Sequence, residues 1–190
     1  MDDLQLWIRL KKGNQNAFKE IYDLHAGSLE NYAKKFTSDI ELIEDTIHDI
    51  FVQIWQKKES LSDTDSIIKY LCVALRRELI RRIEKSHKTS GLDYVENQDT
   101  NFDLSIEDIL IQDETNEKNK TMLQQSFEFL SSRQREAIYL KYYEELSYEE
   151  ICEIMDINYQ SVRNLISKGI IELRKFIVMW FLFLLIALYH

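Results

Sequence analysis

Between Tyr159 and Arg174 the residues Gln160, Arg163, Asn164, Ser167 and Arg174 recur at intervals that place them on one face of a helix, at 100° per residue. Val162, Ile166, Ile170 and Leu173 occupy the opposite face. Arginine suits the guanine edge, Asn and Gln suit adenine, and Ser and Lys suit phosphate. Together with Tyr159, Ser161 and Lys168, this face has the chemistry of a nucleic-acid reader. A second set, Arg76, Arg77, Arg81 and Arg82, lies off the apolar face of another periodic segment. It has the charge to hold phosphates, although a solvated helix face looks the same. A third segment repeats Ile43, Ile47, Ile50, Phe51 and Ile54 and carries Glu44, Asp45, His48, Asp49 and Gln53 elsewhere. His48 with Asp45 and Asp49 has helical metal-ligand spacing, but a solvated face explains it better, so no metal or other cofactor is expected. Catalysis has little to work with. The four histidines (25, 48, 87 and 190) are scattered, and neither a glycine-rich phosphate loop nor a convergent acid, base and nucleophile set exists, which argues against an enzyme.

The elements that must carry these side chains are helical. The 190 residues include no proline and only four glycines, which leaves few obligatory turns and disfavours sandwiches and barrels. The expected fold class is all-α, in two small helical domains. Apolar residues at helical spacing predict a helix over 15–36, with Gly27 a soft spot. Ser38 with Glu41 reads as a capping box opening the helix through Ile54, and Lys57 to Thr64 reads as a loop. A third helix is predicted from Asp65 to Lys85, with Ile68, Leu71, Cys72, Leu75, Leu79 and Ile83 inward. Residues 86–105 lose periodicity and become acidic, as a linker does, and Ser105 restarts a helix through 106–130. Capping boxes at Ser131/Gln134 and Ser147/Glu150 predict helices at about 132–142 and 148–155. After Asp156-Ile157-Asn158 a last helix begins near Tyr159, which makes 147–174 a helix-turn-helix.

The net charge of −9 is unevenly spread. Residues 1–68 carry −5, 69–88 carry +5, 89–130 carry −8, 131–157 carry −4 and 158–190 carry +3. A protein held to nucleic acid by phosphate contacts alone is usually basic overall, so two basic islands in an acidic chain point to local contacts plus a partner that supplies much of the binding energy. The N-terminus MDDLQLWIRL is acidic and amphipathic and does not read as a signal peptide. Cys72 and Cys152, far apart and each in an apolar-periodic segment, read as buried reduced thiols of a cytoplasmic protein.

Taken together, residues 15–85 and 126–175 resemble an extracytoplasmic-function (ECF) sigma factor, the short form of the bacterial RNA polymerase sigma family with regions two and four only. The stretch Leu42-Ile43-Glu44-Asp45-Thr46-Ile47-His48-Asp49-Ile50-Phe51-Val52-Gln53-Ile54-Trp55 is similar to the family's polymerase-binding helix, with Asp45, Phe51 and Trp55 matching. Tyr70-Leu71-Cys72-Val73-Ala74-Leu75-Arg76-Arg77 resembles the promoter-melting helix, with Arg77 where the family commonly has Asn. Leu130 to Glu136 resembles the LPxxxRE opening of region four, Leu146 to Met155 resembles LSYEEIAEIL, and Ser161-Val162-Arg163-Asn164 the start of the recognition helix. Asp156 replaces the usual turn glycine and tolerates the left-handed conformation. The resemblance implies that core RNA polymerase binds Asp45, Asp49, Phe51, Gln53 and Trp55. It implies that 57–69 captures a flipped base of the minus-ten element, that Arg76, Arg81 and Arg82 grip phosphates, and that 159–168 enters the major groove at the minus-thirty-five element. It further implies that the acidic linker 89–105 runs over basic polymerase surfaces, and that an anti-sigma factor is a partner.

The division expected is 1–88 as region two, 89–125 as linker and connecting helix, 126–175 as region four, and 176–190 as an apolar tail. Phe176 to Tyr189 is fourteen uncharged apolar residues, about 21 Å as a helix and short of the roughly 30 Å hydrocarbon core. Three readings stand for the tail, in order: a core-packing extension folded onto region four, an anti-sigma docking surface, and a shallow membrane anchor. The runner-up function is a free-standing helix-turn-helix regulator, which the net charge disfavours. A helical adaptor without DNA would leave the arginine-rich helix and the 159–174 face unexplained.

Overall fold

The computed structural model describes residues 2–89, 102–104 and 127–188, with side chains described through Ser86 in the first stretch and Phe176 in the last. The described residues are helical, without strands, and divide into two compact units, Met1–Asn101 and Phe102–His190. The first contains α1 (Asp3–Lys11), α2 (Gln15–Ala33), α3 (Ile40–Lys57), a 3-10 turn at Lys58–Ser60 and α4 (Ile67–Thr89). The second contains α5 (Ser132–Tyr142), α6 (Tyr148–Met155) and α7 (Tyr159–Leu188).

In the first unit α2, α3 and α4 pack on one another around Ile21, Leu29, Ile43, Ile50, Ile54, Leu71, Leu75 and Leu79, each 5% exposed or less. Burying each such side chain contributes about 1.5–3 kcal/mol. The sequence shows α1 only as an amphipathic stretch, yet it inserts Leu6, Trp7 and Leu10 into this core. α1 ends on Gly13 at φ +80, a left-handed conformation that closes the chain through Gly13 N–H to Leu10 O (2.8 Å) and Asn14 N–H to Arg9 O (3.1 Å). Asn14 then caps α2, its side chain accepting from the Ala17 N–H at 2.9 Å.

Four boundaries differ from the sequence reading. No Ser38/Glu41 capping box opens α3. Asp39 is its N-cap and accepts from the Leu42 N–H at 3.0 Å. Three capping-type residues in a row compete here, and a carboxylate gains most from the positive end of the helix. α2 stops at Ala33, with a turn before α3, and α4 begins at Ile67 and runs on to Thr89, past Lys85. No proline or glycine stands in that extension to stop it. The helix expected over 106–130 and most of the acidic linker lie outside the described residues.

In the second unit the local signals hold. Both capping boxes are complete: Ser131 with Gln134 opens α5, and Ser147 with Glu150 opens α6. Asp156 takes the left-handed conformation, φ 52 and ψ 51, and turns the chain from α6 into α7. α5 and α7 run antiparallel, with Ile138 beside Gly169, Gln134 donating to Glu172 at 3.2 Å, and Phe129 against Phe176. A Cβ on Gly169 would lie 2.7 Å from Ile138 Cδ1, so a side chain there would make the end of Ile138 shift. Arg135 ties down the chain ahead of α5, donating to the carbonyls of Phe102 (2.8 Å) and Phe127 (3.3 Å). α7 continues as one helix to Leu188. All three readings of the tail turn on side chains outside the described residues.

Candidate protein and nucleic-acid interfaces

α3 separates two kinds of side chain. Ile43, Ile47, Ile50, Phe51 and Ile54 are buried, and Glu44, Asp45, His48 and Gln53 are exposed. Asp45, Asp49 and Gln53 recur every four residues and share one face. Phe51, a candidate contact residue, is 3% exposed and meets Phe18 and Tyr22 edge-on at ring separations of 6.0 and 4.9 Å. It is a core residue and shapes the surface from beneath. Trp55 is half-buried, packs on Phe18 at 5.1 Å and has Lys58 Nζ 4.6 Å from its ring centre. Between α2 and α3 these rings line an apolar groove of about 580 Å³ with Tyr22, His48 and Val52.

The segment before α4 is held rather than loose. Trp7 Nε1 donates to Ser62 O at 2.8 Å, its ring lies 4.9 Å from Tyr70, and Lys11 pairs with Asp63 at 2.5 Å. Asp3 accepts from the Ile67 N–H at 2.8 Å, capping α4 from a different helix. Asp3 and Trp7 therefore support the predicted base-capturing segment, a role the sequence did not reveal, because both partners are more than fifty residues away.

On α4, Arg77 and Arg81 are exposed while Arg76 and Arg82 are half-buried. Glu78, not singled out by sequence, receives Arg81 through two hydrogen bonds (2.9 and 2.6 Å) and Arg82 Nε at 2.7 Å. Hydrogen bonds from Arg81 chiefly, with a lesser one from Arg82 and both positive charges, outweigh the cost of burial and hold the Glu78 carboxyl down to about 2. Arg82 Nη2 reaches across to Asp49 Oδ2 on α3 at 2.6 Å. Two residues that sequence reasoning assigned to different partners are thus each other's partner.

In the second unit the helix-turn-helix presents the predicted face. Val162 and Ile166 are buried, while Tyr159, Gln160, Arg163, Asn164, Ser167, Lys168 and Arg174 are exposed and Ser161 is partly so. Asn158 caps the first turn, accepting from the Ser161 N–H at 2.9 Å, and Gln160 donates to Asn164 Oδ1 at 2.9 Å. Tyr148 on α6 packs against Tyr159 (5.6 Å) and lies under Lys141 (5.2 Å), extending the polar face onto α5 and α6.

Cys72 is buried, but Cys152 is partly exposed, which corrects the expectation of two buried thiols. Burial first, then the nearby Glu149 and Glu153 carboxylates, push the Cys152 thiol up, which disfavours the thiolate. Among the described residues no group of three or more His, Cys, Asp or Glu is placed to hold a metal, and no helix is long and apolar enough to cross a membrane.

Comparison with known proteins follows the same division. The family models "Sigma-70 region 2" and "Sigma-70, region 4" match residues 21–89 and 120–173. The chain is 24% identical over 178 residues to the ECF RNA polymerase sigma factor SigK of Mycobacterium sp. (strain JLS), covering 91% of this chain and 90% of that one. It is 26% identical over 172 residues to the ECF RNA polymerase sigma factor SigW of Bacillus subtilis (strain 168), covering 88% and 92%. In fold it is similar to the sigma factor RpoE of Bartonella quintana, solved with the anti-sigma factor NepR, with a TM-score of 0.60 and 20% identity over 84% of this chain and 96% of that one. It is also similar to CnrH, solved with the cytosolic domain of CnrY, with a TM-score of 0.61 and 16% identity over 93% and 97%.

Proposed function

Since the chain belongs to the ECF group of the sigma-70 family, acting as an alternative sigma factor in transcription initiation, we propose that it docks on core RNA polymerase through α3 and directs the enzyme to its promoters through α4 and α7. The observation that carries this reading is the presence of regions two and four in one chain, in family order. The exposed Asp45 and Gln53, with Asp49 between them, offer basic groups on polymerase an acidic face, and Trp55 borders the apolar groove beside it. The segment 57–69, held from behind by Trp7 and Asp3, takes the flipped minus-ten base, with Arg76, Arg77, Arg81 and Arg82 beside the phosphates. Gln160, Arg163 and Asn164 read base edges in the major groove at the minus-thirty-five element, while Ser161, Ser167, Lys168 and Tyr159 set the register on the backbone. Sigma factors are in general regulators without enzymatic activity, and here polymerase supplies the metals and the chemistry. The reading places the chain in the cytoplasm and gives it an anti-sigma partner, the kind of complex in which RpoE and CnrH were solved.

Run-off transcription with core polymerase on a promoter library tests this. The expected result is a set of promoter-specific transcripts that Asp45→Arg abolishes and Arg163→Ala redistributes or weakens. Duplex binding by the chain alone, with no polymerase binding, overturns it in favour of a free-standing regulator.

A further inference from the structure

Asp49 and Arg82 lie 33 positions apart, on different helices, and meet at 2.6 Å with Asp49 about half exposed. Arg82 has a second carboxylate partner in Glu78, at 2.7 Å on its own helix. Its guanidinium therefore faces a carboxylate through Nε and another through Nη2, with only 21% of the side chain open to solvent. A phosphate approaching Arg82 competes with two negative groups for its charge. Asp49, for its part, already has its charge paired with Arg82 through Oδ2, so an incoming cation competes with Arg82 for that carboxylate.

We propose that Asp49 and Arg82 work by exchange: in the unbound chain each neutralises the other, and a basic group on the docking protein that takes Asp49 frees the Arg82 guanidinium to turn toward a nucleic-acid phosphate. Glu78 is the positioning residue of the exchange, because it keeps Arg82 and Arg81 side by side on α4 once Asp49 lets go. The inference rests on the reading of α3 as the polymerase face and α4 as the DNA face. It makes docking and phosphate contact one coupled event without requiring either helix to move. The pair is half open to solvent on its Asp49 side, and a new charge-assisted bond to each partner replaces the one that breaks.

The test is binding of the full chain, without polymerase, to a short single-stranded oligonucleotide of mixed sequence over a range of salt. Asp49→Asn, which keeps the shape and removes the charge, is expected to tighten binding several-fold. It is also expected to steepen the dependence of log K on log salt by about 0.7, one further phosphate contact on a single strand. Asp49→Ala repeats the test with a different shape, and Asp49→Asn with Arg82→Gln returns the slope to that of the unaltered chain. Glu44→Gln, which removes an exposed acid elsewhere on α3, controls for net charge and leaves the slope unchanged. Exchange is overturned if Asp49→Asn changes neither affinity nor slope, if Glu44→Gln matches it, or if the gain survives Arg82→Gln. Core-polymerase binding, measured alongside, separates the two levels. Polymerase binding without the Asp49→Asn gain overturns the exchange alone, and no polymerase binding by the unaltered chain overturns the proposed function beneath it.

Discussion

His25 and Glu78 give the first unit its response to acid, from opposite ends of the polarity scale. The Nε2 atom of His25 is buried without a hydrogen-bond partner, and burial pushes the imidazole below its ordinary 6.5 against a smaller upward pull from Asp3. Below that value the unfolded chain binds a proton that the folded chain resists, so stability is complete above about 6.5 and falls as the pH drops below it. Glu78 adds a second loss. Its carboxyl is held at about 2 against an ordinary 4.5, so the stability it contributes is present above 4.5 and is lost as the pH falls toward 2. Urea unfolding across this range should show midpoints falling in two steps. His25→Leu should flatten the upper step alone, and Glu78→Gln the lower. A single step unaffected by His25→Leu would mean that the imidazole is not held neutral by the fold.

At the scale of elements the support for the segment before α4 depends on α1. Trp7 is fully buried and bonded to Ser62, so Trp7→Ala is expected to cost about 3–5 kcal/mol in urea unfolding. Trp7→Phe keeps most of the packing and loses the bond to Ser62 O. It should cost about 0.5–1.5 kcal/mol, the net worth of an ordinary hydrogen bond, because Ser62 is exposed and water can reach its carbonyl. A loss in minus-ten recognition larger than the loss of stability would mark α1 as part of the reading apparatus. The elements also show what was legible beforehand. α5, α6 and the start of α7 were readable to the residue because their signals are local: two capping boxes and an aspartate suited to the left-handed turn. The start of α3 was misread by one position, since Thr37, Ser38 and Asp39 are all capping types and only the fold selects Asp39. α1 was not placed as a helix, because Trp7 meets Ser62 and Tyr70 only after the chain returns to it. The exposed face of α7 was legible from period alone. The pairing of Asp49 with Arg82 was not, because helical spacing cannot report contacts between helices.

For the whole molecule, charge and hydrophobicity pull in different directions. A net charge of −9 favours solubility, whereas fourteen consecutive uncharged apolar residues near the C-terminus work against it. The described packing of α5 on α7 ends at Phe129 and Phe176, so truncation after Phe176 keeps that contact. Such a chain should have an unfolding free energy within about 0.5 kcal/mol of the full one, the ordinary range for changes away from a core, and should stay soluble at higher concentration. A large fall in the melting temperature would instead show that the tail packs on its own unit.

The bond from Trp7 to Ser62 also has a consequence during synthesis. Trp7 leaves the ribosome before its acceptor, which follows 55 positions later. At about 5–20 residues per second the indole waits roughly 3–11 s for that carbonyl, and for Tyr70 somewhat longer. Throughout that interval the apolar face of α1, with Leu6, Trp7 and Leu10, lacks the partners that bury it in the folded unit, so a chaperone would act there to advantage. The segment before α4 takes its shape only when Asp3 and Trp7 meet residues made more than fifty positions after them.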